Sequence, residues 1–170
     1  MKTTAAFLLL FSLLAKSQTD QVPFVQVRLI DGTRTTVHEL LKEGPLLVDF
    51  WALWCAPCLK AMPHLDSYHR KFSERGFNVL AINLDTQRSL SKVRSYIRSQ
   101  GYGFLVAVDP AQESFQQLNG SSLPYTLLID SSGKIVQRRM GYVPGDERAI
   151  QEQIVDLLAG KSDESPSASQ

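Results

Sequence analysis

The sequence predicts an α/β domain built on a central mixed sheet with helices on both faces, and three observations carry that expectation. Between Gln18 and Gly160, short apolar runs of strand length alternate with stretches of helical period. Strand–helix alternation implies parallel neighbours covered on both sides. Two further pairs of runs are joined by turn residues, Asp31-Gly32 near the start and Ser131-Ser132-Gly133-Lys134 near the end. These add antiparallel strands to the sheet. The chain has 170 residues, 44% of them apolar and 21% charged, enough for one domain with a proper core.

The elements follow in order. Phe24 to Ile30 and Thr33 to Val37 form an N-terminal hairpin around Asp31-Gly32. Leu46-Leu47-Val48-Asp49-Phe50-Trp51 reads as a buried strand with one acid in it. A helix begins near Cys55, its stripe Cys58, Met62, Leu65, Tyr68 or His69, and Phe72 falling at i, i+4, i+7 spacing, with Pro63 expected to kink it. Phe77 to Leu84 is a second buried strand, and 87–99 a helix with Leu90, Val93 and Ile97 inward. Phe104 to Val108 and Ala111 to Leu118 make an inserted strand–helix unit. Tyr125 to Ile129 and Ile135 to Met140 form the final hairpin, and a last helix starts at Pro144-Gly145-Asp146 with Asp146 as its expected cap.

The ends read differently. Lys2 precedes the apolar run Ala5 to Ala15, with Ala15 and Ser17 as small residues at the −3 and −1 positions. That is the pattern of a secretory signal over residues 1–17, too short to span a bilayer. The domain then occupies 18–160, and the polar stretch 161–170 is expected to be a disordered tail. Removing Lys2 and Lys16 takes the formal net charge from +1 to −1. A near-neutral domain has no electrostatic case for binding nucleic acid. An exported chain is expected in the periplasm or outside the cell.

Only two cysteines are present, in Trp54-Cys55-Ala56-Pro57-Cys58. At a helix start the amides are unpaired and the macrodipole is positive, so a thiolate is favoured there. Thiolate is the species that attacks disulfides. Cys55 receives most of this help, and Cys58, one turn on, can reach back to resolve a mixed disulfide. Pro57 suits a first helical turn. A purely structural bridge would gain little from so short a loop. Zinc needs about four ligands, and His64 and His69 lie wrongly placed on the helix to complete a set with the cysteines. The thiol pair could still take a soft ion such as Cu(I). No metal site is assigned, and dithiol exchange requires no cofactor.

The segment Leu47 to Cys58, the helix proline Pro63, the run Leu123-Pro124-Tyr125-Thr126 and the spacing from Gly133 to Gly141 together resemble the thioredoxin superfamily. The resemblance covers most of residues 40–160. The early hairpin, the insert after Asn83-Leu84-Asp85 and the export pattern make it most similar to the TlpA/ResA-type branch. It implies a thioredoxin-like fold, with a cis bond before Pro124 and the Leu123 backbone turned outward to pair with an extended substrate. Trp54 would lie on the same groove. The branch often supplies reductants for cytochrome c maturation, copper-site assembly or repair of wrong disulfides. Disulfide-bearing protein partners and an upstream reductant, membrane-bound in some systems, are therefore implied. Asp49 matches the superfamily's buried acid, with a proposed catalytic role toward Cys58. The lysine that neighbours this acid in thioredoxin would align near Ala81, so the cation is expected to be missing. Tyr125 stands where threonine is more usual, which bears on the shape of the groove.

Two functions from different classes compete for the same thiols. The first is an enzyme exchanging disulfides with proteins. The second is a copper-handling assembly factor, disfavoured by the two-residue spacer between Cys55 and Cys58. A peroxidase would need a Pro-x-x-x-Thr-x-x-Cys context that is missing.

Overall fold

The computed structural model describes residues 20–160. The expected signal at 1–17 and tail at 161–170 lie outside the described residues. Seven strands form one sheet in the order β2-β1-β5-β4-β3-β6-β7. They are β1 (Gln26–Leu29), β2 (Arg34–Thr36), β3 (Leu46–Trp51), β4 (Asn78–Asn83), β5 (Leu105–Val108), β6 (Tyr125–Ile129) and β7 (Ile135–Met140). The helices are α1 (Val37–Leu41), α2 (Ala56–Phe72), α3 (Leu90–Gln100), α4 (Glu113–Gln117) and α5 (Asp146–Leu158). Strands β3, β4 and β5 run parallel, while β1 pairs antiparallel with β5, and β6 with β3. The mixed sheet, the early hairpin and the inserted β5–α4 unit are as the sequence predicts.

Strand β3 is buried along its whole length, the pattern of a strand covered on both faces. Alternation then sorts its side chains. Leu46, Val48 and Phe50 join one core, with Val37 and Leu41 of α1 and Phe115 beside Leu118 from the α4 region. Leu47 and Trp51 join the other, with Cys58, Met62, Leu65, Tyr68 and Phe72 of α2, Val93 of α3 and Ile154 of α5. Asp49 falls between Leu47 and Trp51 in that alternation, so it points toward α2.

Three local expectations are corrected. Helix α1 occupies the end of the expected second hairpin strand, because the Thr36 hydroxyl accepts from the Glu39 amide at 3.0 Å and caps it. Asp146 does not cap α5; Gly145 does, and Asp146 is the first helical residue, ion-paired at 2.6 Å with Arg139. Helix α3 is preceded by a 3-10 turn at Gln87–Ser89, and its Ile97 is only half-buried. Helix α2 continues through Pro63.

The chain enters the sheet at one pole. Gln21 bridges to Lys134, and the Val22 amide donates to the Gly133 carbonyl in the β6–β7 turn. That turn lies beside Leu46, the first residue of β3. Helix α5 starts near Arg139 and descends past Gln137, to which Gln153 donates. Among the described residues no helix is long and apolar enough to cross a membrane.

Candidate active site

The site lies at the carboxyl end of β3, where open α/β sheets place their chemistry. The chain leaves Trp51, passes through Ala52-Leu53-Trp54 and enters α2 with Cys55 as its N-cap. Cys55 and Cys58 are joined as a disulfide, their Cα atoms 5.2 Å apart. The Cys58 amide donates to Cys55 Sγ at 3.3 Å. That helix-start amide, together with the dipole of a 17-residue helix, favours negative charge on the first sulfur. Cys55 is 5% exposed and Cys58 fully buried, so Cys55 is the less buried of the pair.

The loop ahead of Cys55 is held from the end of β4. The Leu53 amide donates to Asp85 Oδ2 at 2.8 Å, and the Asn83 side-chain amide donates to the same oxygen at 2.8 Å. The Asp85 amide donates back to Asn83 Oδ1 at 3.1 Å. Both residues are buried. In the sequence Asn83-Leu84-Asp85 shows only as a pair of polar residues closing an apolar strand, with no sign of the bond to Leu53.

The remaining residues singled out from sequence are placed as follows. Trp54 is 70% exposed beside Cys55. The Leu123–Pro124 bond is cis, Pro124 is buried, and half-buried Leu123 packs on both cores, including the one that holds Cys55 and Cys58. The Pro124 carbonyl accepts from the Gly141 amide at 2.8 Å. Tyr125 does not shape this surface. It packs against Phe50 and Phe115 on the opposite face of the sheet, and its hydroxyl donates to the Leu118 carbonyl. Thr126, one residue on, turns toward the α2 side.

Asp49 is 1% exposed. Its register neighbours are Ala81 on β4 and Thr126 on β6, so the lysine-bearing flank is indeed occupied by alanine. The Thr126 hydroxyl donates to Asp49 Oδ1 at 2.7 Å, while Oδ2 is buried without a partner. Burial pushes the carboxyl up to about 7, opposed by the Thr126 bond. Such a group can exchange a proton near neutrality. The expected absence of any cation is corrected in part, since Arg139 lines the same small cavity as Asp49.

Among the described residues no three of His, Cys, Asp or Glu gather to hold a metal ion. His64 meets Tyr142 at 3.2 Å and His38 stacks on Phe24.

A buried redox disulfide at a helix N-terminus, on a sheet of this topology, defines a thioredoxin-like thiol–disulfide oxidoreductase. Residues 17–154 match the Redoxin family model, and the chain belongs to that family. It is 31% identical over 121 residues to the thiol-disulfide oxidoreductase ResA of Bacillus anthracis, covering 71% of this chain and 68% of that one. The ResA of Bacillus subtilis strain 168 is also 31% identical, over 107 residues, with 63% and 58% covered. A solved structure from Chlorobium tepidum, assigned as a thiol:disulfide interchange protein DsbE, superposes with a TM-score of 0.76. Its identity is 27%, with 82% of this chain and 96% of that chain covered. StoA of Bacillus subtilis shares the fold at a TM-score of 0.65 and 18% identity, over 79% of this chain and 98% of its own. The chain is thus a TlpA/ResA-like member of the thioredoxin superfamily.

Proposed function

We propose that the chain works outside the cytoplasm as a reductant of disulfides in exported proteins, with Cys55 as the attacking thiol and Cys58 as the resolving one. The observation that carries this reading is the Cys55–Cys58 disulfide at the start of α2, with Cys55 its less buried half beside the exposed Trp54. The reaction runs in two exchanges. Reduced Cys55, as thiolate, attacks one sulfur of a partner's disulfide and releases the other as thiolate. Cys58 then gives its proton to Asp49, attacks Cys55 Sγ and expels the partner's second sulfur. The partner leaves with two thiols and the chain with a Cys55–Cys58 disulfide. An upstream reductant must return the pair to its dithiol form, because an exported dithiol would otherwise be oxidised by its compartment.

Leu123 packs on the core that holds the cysteines and the bond to Pro124 is cis, which supports assigning these two, with Trp54, to holding the extended substrate segment. The signal at 1–17 supports export, and mature protein beginning near Gln18 would be its mass-spectrometric signature. Cytochrome c maturation, copper-site assembly and repair of wrong disulfides are the uses that the TlpA/ResA resemblance implies.

The test is covalent trapping. A Cys58→Ser variant should accumulate mixed disulfides through Cys55 with exported proteins, and Cys55→Ser should trap none. The potential of the pair should lie well below the roughly −120 mV of a dedicated disulfide donor; a value near that figure reverses the direction. A Cu(I) titration of the reduced protein measures the competing use of the thiols in copper handling.

A further inference from the structure

Among the buried side-chain polar atoms of the described residues that have no partner, two belong to residues lining one small cavity. They are Asp49 Oδ2 and Arg139 Nε. The residues stand in one row across the sheet: Asp49 opposes Thr126, and Thr126 opposes Arg139. Directly opposed residues share a face, and two strand spacings put their backbones about 10 Å apart. An arginine side chain is long enough to span much of that distance, and Arg139 and Asp49 line the same cavity. The cavity has a volume of about 20 Å³, which is room for one water molecule, and a buried water needs two or more polar partners. A carboxylate oxygen that accepts and a guanidinium N–H that donates are such a pair.

We infer that one water in this cavity joins Asp49 Oδ2 to Arg139 Nε, making Arg139 a positioning residue that biases Asp49 toward its carboxylate. This deepens the role given to Asp49 above and rests on it. Arg139 cannot itself give up a proton. It acts by favouring the carboxylate, and so sets the pH at which Asp49 can take the Cys58 proton. Asp146 opposes it, since its Oδ1 sits 2.6 Å from Arg139 Nη1 and offsets part of the cation's charge.

Other groups face the same cavity. From α2 come His64 and Tyr68, whose hydroxyl donates to the Glu147 carbonyl and is pushed up by burial. Tyr142 lies beside His64, and its hydroxyl too is raised by burial. From the start of α5 comes Glu147, whose carboxyl is lowered by backbone amides. The two tyrosines stay neutral and Glu147 stays charged across the relevant range. His64 requires its own control.

The test is a carbon-13 carboxyl titration of Asp49 by NMR in the disulfide form, where neither cysteine titrates, with Asp49→Asn assigning the signal. Arg139→Met should move the midpoint up by roughly 0.5–1 unit, and Asp146→Asn should move it down, as charge partners do. Arg139→Lys should largely restore the parent midpoint, and His64→Gln should leave it in place. A role for Arg139 in packing alone would lower stability without moving the midpoint in opposite directions. The inference is overturned if Arg139→Met and Asp146→Asn shift the midpoint the same way or not at all. Because this readout needs no turnover, it stands apart from the catalytic reading of Asp49. That reading fails separately if Asp49→Asn releases substrate at the parent rate.

Discussion

Above about pH 7 the folded chain must hold a carboxylate at position 49 in a site that favours the acid. The folded-state value lies above the unfolded one. The acid form therefore contributes stability that is full below the ordinary carboxylate range and lost as pH rises through about 7. Asp49→Asn keeps an acceptor for the Thr126 hydroxyl and removes the charge. In the disulfide form its melting temperature should exceed the parent's at pH 8, and the gain should shrink toward pH 5. Stopped-flow kinetics on a model disulfide should show an unchanged first attack and a slower release from Cys55. Equal slowing of both steps would leave Asp49 as structure only. Asp85 gives a second residue-level prediction. Asp85→Ala strands the buried Leu53 amide and Asn83 side-chain amide, and should cost about 2–3 kcal/mol in a urea titration with an unchanged slope. The cysteines, the acid and the cis proline were legible because each sits in a local motif. Asp85 and Arg139 were not, since Asp85 meets Leu53 only where two loops come together, and Arg139 joins the Asp49 row only through strand register. Arg139 in Gln137-Arg138-Arg139 reads as ordinary edge-strand polarity.

At the level of elements, apolar runs located β3 to β7 well because burial and strand length are written in the same residues. Helix α1 escaped because Thr35-Thr36-Val37 are β-branched and look like strand. The capping pattern Thr36-x-x-Glu39 was present and is what the backbone follows. The last helix was found but its cap was not, because Asp146 is drawn to Arg139. Gly44 shows how the elements are clamped together. It precedes β3 with φ +136°, and a Cβ there would run into the Gly76 carbonyl in the turn that leads to β4. The two parallel strands thus start from a backbone contact with no room for a side chain. Gly44→Ala should cost about 3 kcal/mol through clash and backbone strain. A denaturant melt would measure this, and a loss under 1 kcal/mol would show that the turn yields.

For the whole molecule, the sheet divides the interior into two cores, and only the α2 side contains the cysteines and faces Asp49. The pole at which residues 20–22 join the β6–β7 turn is the pole from which β3 climbs toward Cys55, and α5 descends toward it. Both ends of the described chain therefore leave on the side away from the disulfide. Held by either end on a surface, the molecule would stand with its sulfurs outward, like a sensor head on a stalk. Biotin placed at position 20 or at position 160 and bound to streptavidin beads should leave turnover of a small disulfide within about twofold of the free protein, a rate difference of under 0.5 kcal/mol. Attachment through Lys60, on the exposed side of the first turns of α2, should instead slow reaction with a folded protein disulfide far more than with a small one. A chain built this way can be fastened, fused or crowded at its base while its working end stays free to meet partners arriving from the other side.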